Sequence, residues 1–169
     1  VEGRPQSFLH ISRPEVDLPE DTDPYSPQVY AKARENLDRM ISDGVLVRDE
    51  GPYYYVYRLT MGGHVQTGLV AAASVAAYDA DRIKKHEFTR PVKEDDRVRQ
   101  IDALNAQTGP VFLVYKSTAV IDDTLAVVSA SAPAVDITAG DGVRHELWVV
   151  DDGETIDRLS TAVEQLGGL

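Results

Sequence analysis

Residues 53–75, YYYVYRLTMGGHVQTGLVAAASV, decide the fold class because they place two strands around one tight turn. Residues 53–59 are rich in tyrosine, valine and leucine, which favour strands. Residues 61–64, with two glycines at their centre, predict the turn, and residues 65–75 predict the returning strand. Helical patterns lie on both sides of this hairpin, and such an order is typical of an α+β fold.

The segment before the hairpin contains one clear helix. Residues 6–11 are a short apolar run, which predicts a strand, and residues 13–23 are rich in proline and acids, which predicts a loop. Ser26 and Pro27 predict the start of the helix, with a hydroxyl at the N-cap and proline at the first helical position. Gly44 is predicted to end it in the left-handed conformation. The apolar stripe of this helix consists of Val29, Ala33, Leu37, Met40 and Ile41.

The segment after the hairpin alternates between helices and strands. Residues 91–105 predict a helix because a proline and then acids occupy the first turn. Beyond it, the patterns predict a buried strand over residues 111–115, a helix over 121–131, a strand pair over 134–138 and 143–150, and a helix over 155–166. Together these elements predict one α+β domain over residues 1–169, with a mixed sheet, hairpins and three to four helices.

Composition narrows the class of protein. The 169 residues include no cysteine, which removes disulfides and thiolate metal sites and fits a reducing compartment such as the cytoplasm. The net charge of −11 disfavours a general nucleic-acid binder, because the phosphate backbone would be repelled. No apolar run approaches the ~20 residues that a membrane-spanning helix needs, and no signal peptide is visible. The end of the chain, Gly-Gly-Leu after a helix, suggests the N-terminal fragment of a longer protein.

Residues 84–97, KKHEFTRPVKEDDR, form the densest charged segment and the candidate site. The amides at the start of the following helix suit an anion, and Lys93 and Arg97 lie four residues apart on one face of that helix. Glu87 is then placed to act as a base or as a ligand of a magnesium ion on a bound phosphate. Glu87 is the candidate catalytic residue, and the candidate ligand-binding residues are Lys85, His86, Thr89, Lys93, Arg97, Asn105 and Thr108.

Other interpretations of these residues stay open. The charged segment has the composition of an ordinary solvated, salt-bridged surface, and Asn105 and Thr108 also suit the capping of a helix end. The four histidines have no pair at metal-ligand spacing, so no resident metal is predicted. No nucleotide-binding glycine loop or nucleophile elbow is present. The tyrosines of residues 53–57 are more typical of cross-strand packing than of a ligand platform.

A set of short segments, kept in order, resembles a known bacterial family. These are Arg13-Pro14-Glu15, Asp23-Pro24-Tyr25, Tyr55-Val56-Tyr57-Arg58, Gly68-Leu69-Val70, His86-Glu87, Lys93-Glu94-Asp95-Asp96-Arg97 and Thr108-Gly109-Pro110-Val111-Phe112. On these segments the chain is identified as a member of the family called domain of unknown function 1015, and the resemblance covers nearly its whole length.

The resemblance carries an expectation about phosphate chemistry. Longer members of the family carry an Asp-Gly-His-His-Arg motif that is missing from this chain. That motif resembles the phosphate-binding box of the ParB and sulfiredoxin superfamily, which includes partition-protein CTPases and a free-serine kinase. The resemblance implies that the segment around Glu87 approaches this box, so that the present chain holds half of a site and is inactive alone.

Three functions follow as hypotheses. The first is phosphoryl transfer or nucleotide hydrolysis by the full-length protein, with Mg²⁺ and a nucleotide as the expected cofactors. The second is a non-catalytic binding or regulatory module for a small anionic or phosphorylated ligand. The third is a structural domain of a larger assembly. None of them involves nucleic acid or a membrane as partner, and an oligomer is compatible with each.

Overall fold

The structure, a computed structural model of the chain, describes residues 1, 3–85 and 88–168. Its elements confirm the α+β class. In chain order they are α1 (Leu9–Ser12), a 3-10 helix (Pro14–Asp17), α2 (Pro27–Ser42), β1 (Tyr54–Met61), β2 (His64–Val70), α3 (Val75–Asp79), α4 (Pro91–Leu104), α5 (Ala119–Val128), β3 (Val135–Thr138), β4 (Arg144–Val150) and α6 (Gly153–Glu164). Of the α-helices among the described residues, α1 and α3 are short and the other four have ten or more residues.

The chain folds as two compact units, each made of two separate segments. Unit 1 consists of Val1–Arg48 and Lys85–Phe112, and unit 2 consists of Asp49–Lys84 and Leu113–Leu169. Unit 1 therefore holds α1, α2 and α4, while unit 2 holds the sheet with α3, α5 and α6. The single domain over residues 1–169 stays a prediction.

Unit 1 is built around α2. Its predicted start at Pro27 and the left-handed Gly44 after it are confirmed, with a φ of +69° at Gly44. The core of the unit is a cluster of four buried side chains, Ile11, Ala33, Met40 and Leu104. Ile41 was predicted to belong to the apolar stripe, but 54 % of it is exposed. It lies one residue beyond Met40, and the rotation of about 100° per residue along a helix places it off the buried face.

The strand predicted over residues 6–11 was wrong. The chain forms α1 over Leu9–Ser12 instead, and only Ile11 of that helix is buried. Phe8 and Leu9 are 45 % and 47 % exposed, so the apolar run does not belong to a sheet. A short apolar run fits a strand and a buried helical turn equally well, and its length alone does not separate them.

Unit 2 is built around a four-stranded sheet in the order β2-β1-β4-β3. The predicted hairpin is confirmed, with Met61 opposite His64 and a left-handed Gly62 in the turn. The strand pair β3 and β4 is confirmed as well. A mixed sheet was predicted, but every pairing among the described strands is antiparallel. The returning strand ends at Val70 rather than at residue 75, where α3 has begun.

One face of this sheet carries the core of unit 2. Val56 on β1 lies opposite Trp148 on β4, and both are buried. Side chains of α5 and α6 complete the cluster, with Ile121, Leu125 and Leu159 among them. Asp152 starts α6 by accepting a hydrogen bond from the Thr155 amide at 2.8 Å.

The buried strand predicted over residues 111–115 was also wrong. The structure assigns these residues no helix or strand, and Val111 and Phe112 are 72 % and 75 % exposed. β-branched and aromatic residues favour a strand, but this preference does not provide a neighbouring strand with which to form hydrogen bonds. Within the described ranges, no helix is both long and apolar enough to span a membrane.

Candidate functional site

The two long helices of unit 1 run in the same direction. Three hydrogen bonds connect α4 to α2 or to Tyr25, which lies two residues before α2. They are Lys93 Nζ to Tyr25 Oη at 2.9 Å, Tyr30 Oη to Asp96 Oδ1 at 2.9 Å, and Arg34 Nη1 to the Leu104 carbonyl at 3.1 Å. Residues later in α2 pair with residues later in α4, so the two helices are parallel and begin at the same end of the unit.

This shared end of α2 and α4 carries the positive charge of the Lys93 ammonium. The Lys93 ammonium lies 5.3 Å from the centre of the Tyr25 ring, in the first turn of α4. The first turns of both helices add the partial positive charge of their amides. Neither N-cap residue, Ser26 or Arg90, accepts an amide hydrogen bond with its side chain. Pro27 and Pro91 supply no amide at the first helical position, and the Glu94 carboxylate lies in the first turn of α4, so this end carries charges of both signs.

A groove of about 570 Å³ opens beside this end, between α2 and α4. Tyr25, Pro27, Tyr30, Ala31, Arg34 and Arg99 line it. It is a shallow depression that lies largely open to solvent, unlike the enclosed clefts of most small-molecule sites. Its lining includes two tyrosine side chains and two guanidinium groups.

The polar groups of the groove are held in place by their neighbours. The Arg34 guanidinium meets the Asp38 carboxylate at 2.7 Å, so its orientation is fixed. Burial, followed by the hydrogen bond to Asp96 and the charge of that carboxylate, raises the pKa of the Tyr30 hydroxyl, while Arg99 acts in the opposite direction. Tyr30 therefore stays protonated and keeps its hydroxyl as a donor to Asp96.

The predicted cations of α4 have different partners. Lys93 meets Tyr25 at the shared end, as described above. Arg97 donates to Gln100 Oε1 at 3.0 Å, and the buried Gln100 in turn donates to the Ile11 carbonyl at 3.0 Å. Spacing placed Lys93 and Arg97 on one helix face, and the structure directs them toward different neighbours.

The remaining predicted residues are spread along the segment and the end of α4. Thr89 Oγ1 donates to Glu94 Oε2 at 2.6 Å. This hydrogen bond connects the segment before α4 to the first turn of that helix. Asn105 ends α4 in the left-handed conformation, with a φ of +48°. Lys85 is exposed, and Thr108 is half-buried outside any helix or strand. The candidate catalytic Glu87 and its neighbour His86 lie outside the described residues, so their predicted roles stay predictions.

Sequence reasoning did not find the groove residues. Tyr30 and Arg34 come from α2, whereas Arg99 comes from α4, more than sixty positions later in the chain. The available signal was the four-residue spacing of Tyr30 and Arg34, which places both on one face of a helix. That signal says nothing about which other helix the face meets.

A second polar cluster in unit 1 joins the segment before α1 to α2. His10 Nδ1 lies 2.8 Å from Asp17 Oδ1, and its Nε2 lies 3.1 Å from the Arg4 carbonyl. Asn36, which is buried, donates both to Asp17 at 2.8 Å and to the His10 carbonyl at 2.7 Å. Both ring nitrogens of His10 are engaged, so this cluster holds the fold of unit 1 together rather than presenting a free base.

No metal centre is apparent in the part of the chain that the structure describes. Its His, Asp and Glu side chains gather in no group of three or more that is suited to a metal ion.

The fold defines the class of protein. It is an α+β protein with a four-stranded antiparallel sheet. The chain belongs to the family described as "Protein of unknown function (DUF1015)", which matches residues 1–167. The family resemblance drawn from the sequence is thereby confirmed. No curated protein and no solved structure gives a significant match to the chain.

Proposed function

We propose that unit 1 binds a small phosphorylated ligand at the shared end of α2 and α4. The contact between Lys93 and Tyr25 carries this proposal, because it places a lysine ammonium where two helices begin side by side. A phosphate there meets the ammonium, the helix amides and the partial charges of both helices. The chain has a net charge of −11, so attraction of an anion depends on this local arrangement and not on the overall charge.

Calorimetric titration with inorganic pyrophosphate tests the proposal. A hydrogen bond to a charged group contributes about 1.5–3 kcal/mol, so Lys93→Ala is expected to raise the dissociation constant by roughly 10- to 100-fold. Lys93→Arg keeps the charge and should recover most of the affinity. Lys116→Ala removes an exposed lysine of unit 2 and is the matched control.

Two results would contradict the proposal. One is the absence of binding of pyrophosphate to the unmodified chain, and the other is equal affinity of pyrophosphate for Lys93→Ala and the unmodified chain. A change of the same size in Lys116→Ala would show that the effect comes from net charge alone.

The other predicted ligand-binding residues belong to the same proposal. They are Lys85, His86, Thr89, Arg97, Asn105 and Thr108. Kinship with the ParB and sulfiredoxin superfamily and a location in the bacterial cytoplasm are parts of it as well. The support for the location is the absence of cysteine, which fits a reducing compartment.

A second candidate function is phosphoryl transfer or nucleotide hydrolysis by a longer form of the protein. Glu87 favours it, because this carboxylate precedes the start of α4 by only four positions. It would act as the base, or as a ligand of Mg²⁺ bound to a nucleotide. Glu87→Gln keeps the size of the side chain and removes its charge. Loss of ATP turnover with retained ATP binding in the full-length protein would favour this function over a binding module or a structural domain.

A further inference from the structure

We propose that two copies of the chain pair through the face of the unit 2 sheet that points away from α5 and α6. We call this surface the open face. Successive side chains of a strand point to opposite faces of a sheet, so the strand register assigns each residue to one face. The open face carries Tyr55, Tyr57 and Leu59 of β1, Gln66, Gly68 and Val70 of β2, Val135 and Ile137 of β3, and His145, Leu147 and Val149 of β4. It belongs to unit 2, so the proposal is independent of the ligand assigned to unit 1.

The open face is apolar and exposed. Among the described residues, neither hydrophobic cluster includes any of its side chains. Val149 on the inner strand β4 is 38 % exposed, and Val135 and Ile137 on β3 are 41 % and 57 % exposed. Contiguous apolar patches larger than roughly a few hundred Å² are uncommon on a monomer and often mark an interface.

The charge of the chain favours a second copy as the partner. With a net charge of −11, two copies repel each other wherever their acidic surfaces meet. None of the side chains of the open face belongs to Asp, Glu, Lys or Arg. The opposite face of the sheet, in contrast, carries Arg58, Glu146 and Asp136 side by side in one cross-strand row. The open face therefore allows two copies to approach without charge repulsion.

The tyrosine hydroxyls of the open face already have hydrogen-bond partners. The Tyr57 hydroxyl lies 2.7 Å from His145 Nδ1, and the two rings stack with their centres 6.1 Å apart. The Tyr55 hydroxyl donates to the Asp49 carboxylate. Burial of a polar group costs free energy mainly when the group has no hydrogen-bond partner. A second copy can therefore cover both tyrosines without leaving their hydroxyls unpaired.

The two edges of the open face have complementary shapes. Gly68 on the edge strand β2 carries no side chain, and a Cβ built there meets no atom within 4 Å. Val135 lies at the other end of the same cross-strand row, on the edge strand β3. A two-fold axis parallel to the strands places β3 of each copy over β2 of the other. Val135 then meets the open space at Gly68 of the partner subunit.

The size of the open face predicts a weak dimer. With strands about 4.8 Å apart and a rise of about 3.3 Å per residue, the four-stranded sheet spans roughly 450 Å². Pairing of two such faces buries about 900 Å² in total, which lies at the low end of specific interfaces, where complexes are transient. We therefore expect a dissociation constant of about 10–500 µM.

Sedimentation equilibrium of the chain between roughly 5 µM and 1 mM tests the proposal. Ile137→Lys places an ammonium without a partner in the apolar interface, so it should raise the dissociation constant by about tenfold or more. Val149→Lys should act in the same way from the inner strand β4. Both substitutions reduce the net negative charge of the chain, so greater repulsion between copies would not explain a weaker dimer.

Thr138→Lys is the matched control. Thr138 follows Ile137 on β3, is exposed, and pairs with Arg144 on the opposite face of the sheet. It should change the dissociation constant by no more than about twofold. The two β3 variants also separate face pairing from edge pairing, because a strand added along β3 would contact both positions. Far-ultraviolet circular dichroism and the fluorescence of Trp148 check that each variant keeps its fold.

Three results overturn the proposal. The first is a chain that stays monomeric up to about 1 mM. The second is a dimer that Ile137→Lys leaves unchanged, which places the contact on another surface. The third is an equal loss of affinity in Ile137→Lys and Thr138→Lys, which indicates pairing along the sheet edge. If Val149→Lys loses its fold, the comparison of the two β3 variants decides alone, because both positions are exposed.

Discussion

Asp17 joins three parts of unit 1 through its carboxylate. It accepts hydrogen bonds from His10 and from the buried Asn36. Burial raises the pKa of this carboxyl, but the hydrogen bonds from His10 and Asn36 and the charges of His10 and Lys32 outweigh it, so the pKa is lowered. A single acidic residue at the end of the 3-10 helix thus acquires a structural role that its sequence context does not reveal.

The lowered pKa of Asp17 predicts a pH dependence of stability. The folded pKa lies below the unfolded value of about 3.9, so the contribution of Asp17 is complete above that pH. It is lost as the pH falls through the folded pKa. Urea unfolding between about pH 7 and pH 2 should therefore show Asp17→Asn less stable than the unmodified chain at neutral pH, with a smaller loss in acid.

Asp21→Asn serves as the control for this measurement, because Asp21 is an exposed carboxylate four positions after Asp17. Its curve of unfolding free energy against pH should follow that of the unmodified chain. Parallel curves for Asp17→Asn and the unmodified chain would show that the Asp17 carboxylate contributes no pH-dependent stability.

At the scale of elements, sequence patterns predicted those parts that carry their own start and stop signals. The proline and acids at the start of α4 and the glycines of the hairpin are local signals, and both elements were confirmed. The two segments that failed, residues 6–11 and 111–115, were assigned from apolar runs without such signals. Their states depend on contacts with distant residues, which the local pattern does not contain.

The residues of the candidate site likewise include some that the local sequence predicts and others that it does not. Lys93 was found because it belongs to a dense local segment, and the structure gives it an aromatic partner. Tyr30 and Arg99 were not predicted from the sequence, because the groove exists only after α2 and α4 pack side by side. A groove between two helices has no single stretch of sequence that predicts it.

The end of α4 offers a test that separates capping from ligand binding. Asn105 has a φ of +48°, a conformation that glycine adopts freely and that costs alanine roughly 1 kcal/mol. Asn105→Gly is therefore expected to keep the thermal stability of the chain, and Asn105→Ala to lower it by about that amount. If Asn105 also binds the ligand, both variants will weaken pyrophosphate binding. If it only ends the helix, Asn105→Gly will bind as the unmodified chain does.

At the scale of the whole chain, two separate hydrophobic clusters support two compact units. Met40 is 1 % exposed in the cluster of unit 1, and Leu159 is fully buried in the cluster of unit 2. Neither residue appears in the other cluster. The free energy of folding is therefore divided between two cores that draw on different segments of sequence.

This division predicts additive effects of core substitutions. Met40→Ala and Leu159→Ala should each lower the free energy of unfolding by about 2–5 kcal/mol, because each leaves a cavity in a packed core. If the chain unfolds in one cooperative transition, the double variant should lose the sum of the two within ~0.5 kcal/mol, measured by denaturant unfolding. A deviation well above that value would show that the two cores are energetically coupled.

The position of Trp148 gives the two units different optical signals. It is the only tryptophan of the chain, and it is buried in unit 2, where its indole nitrogen donates to the Ser131 carbonyl at 2.9 Å. The Arg58 guanidinium lies 4.9 Å from the centre of the ring. Indole fluorescence therefore follows the melting of unit 2, while far-ultraviolet circular dichroism follows helices in both units. The difference between the two traces isolates the unit that holds the groove.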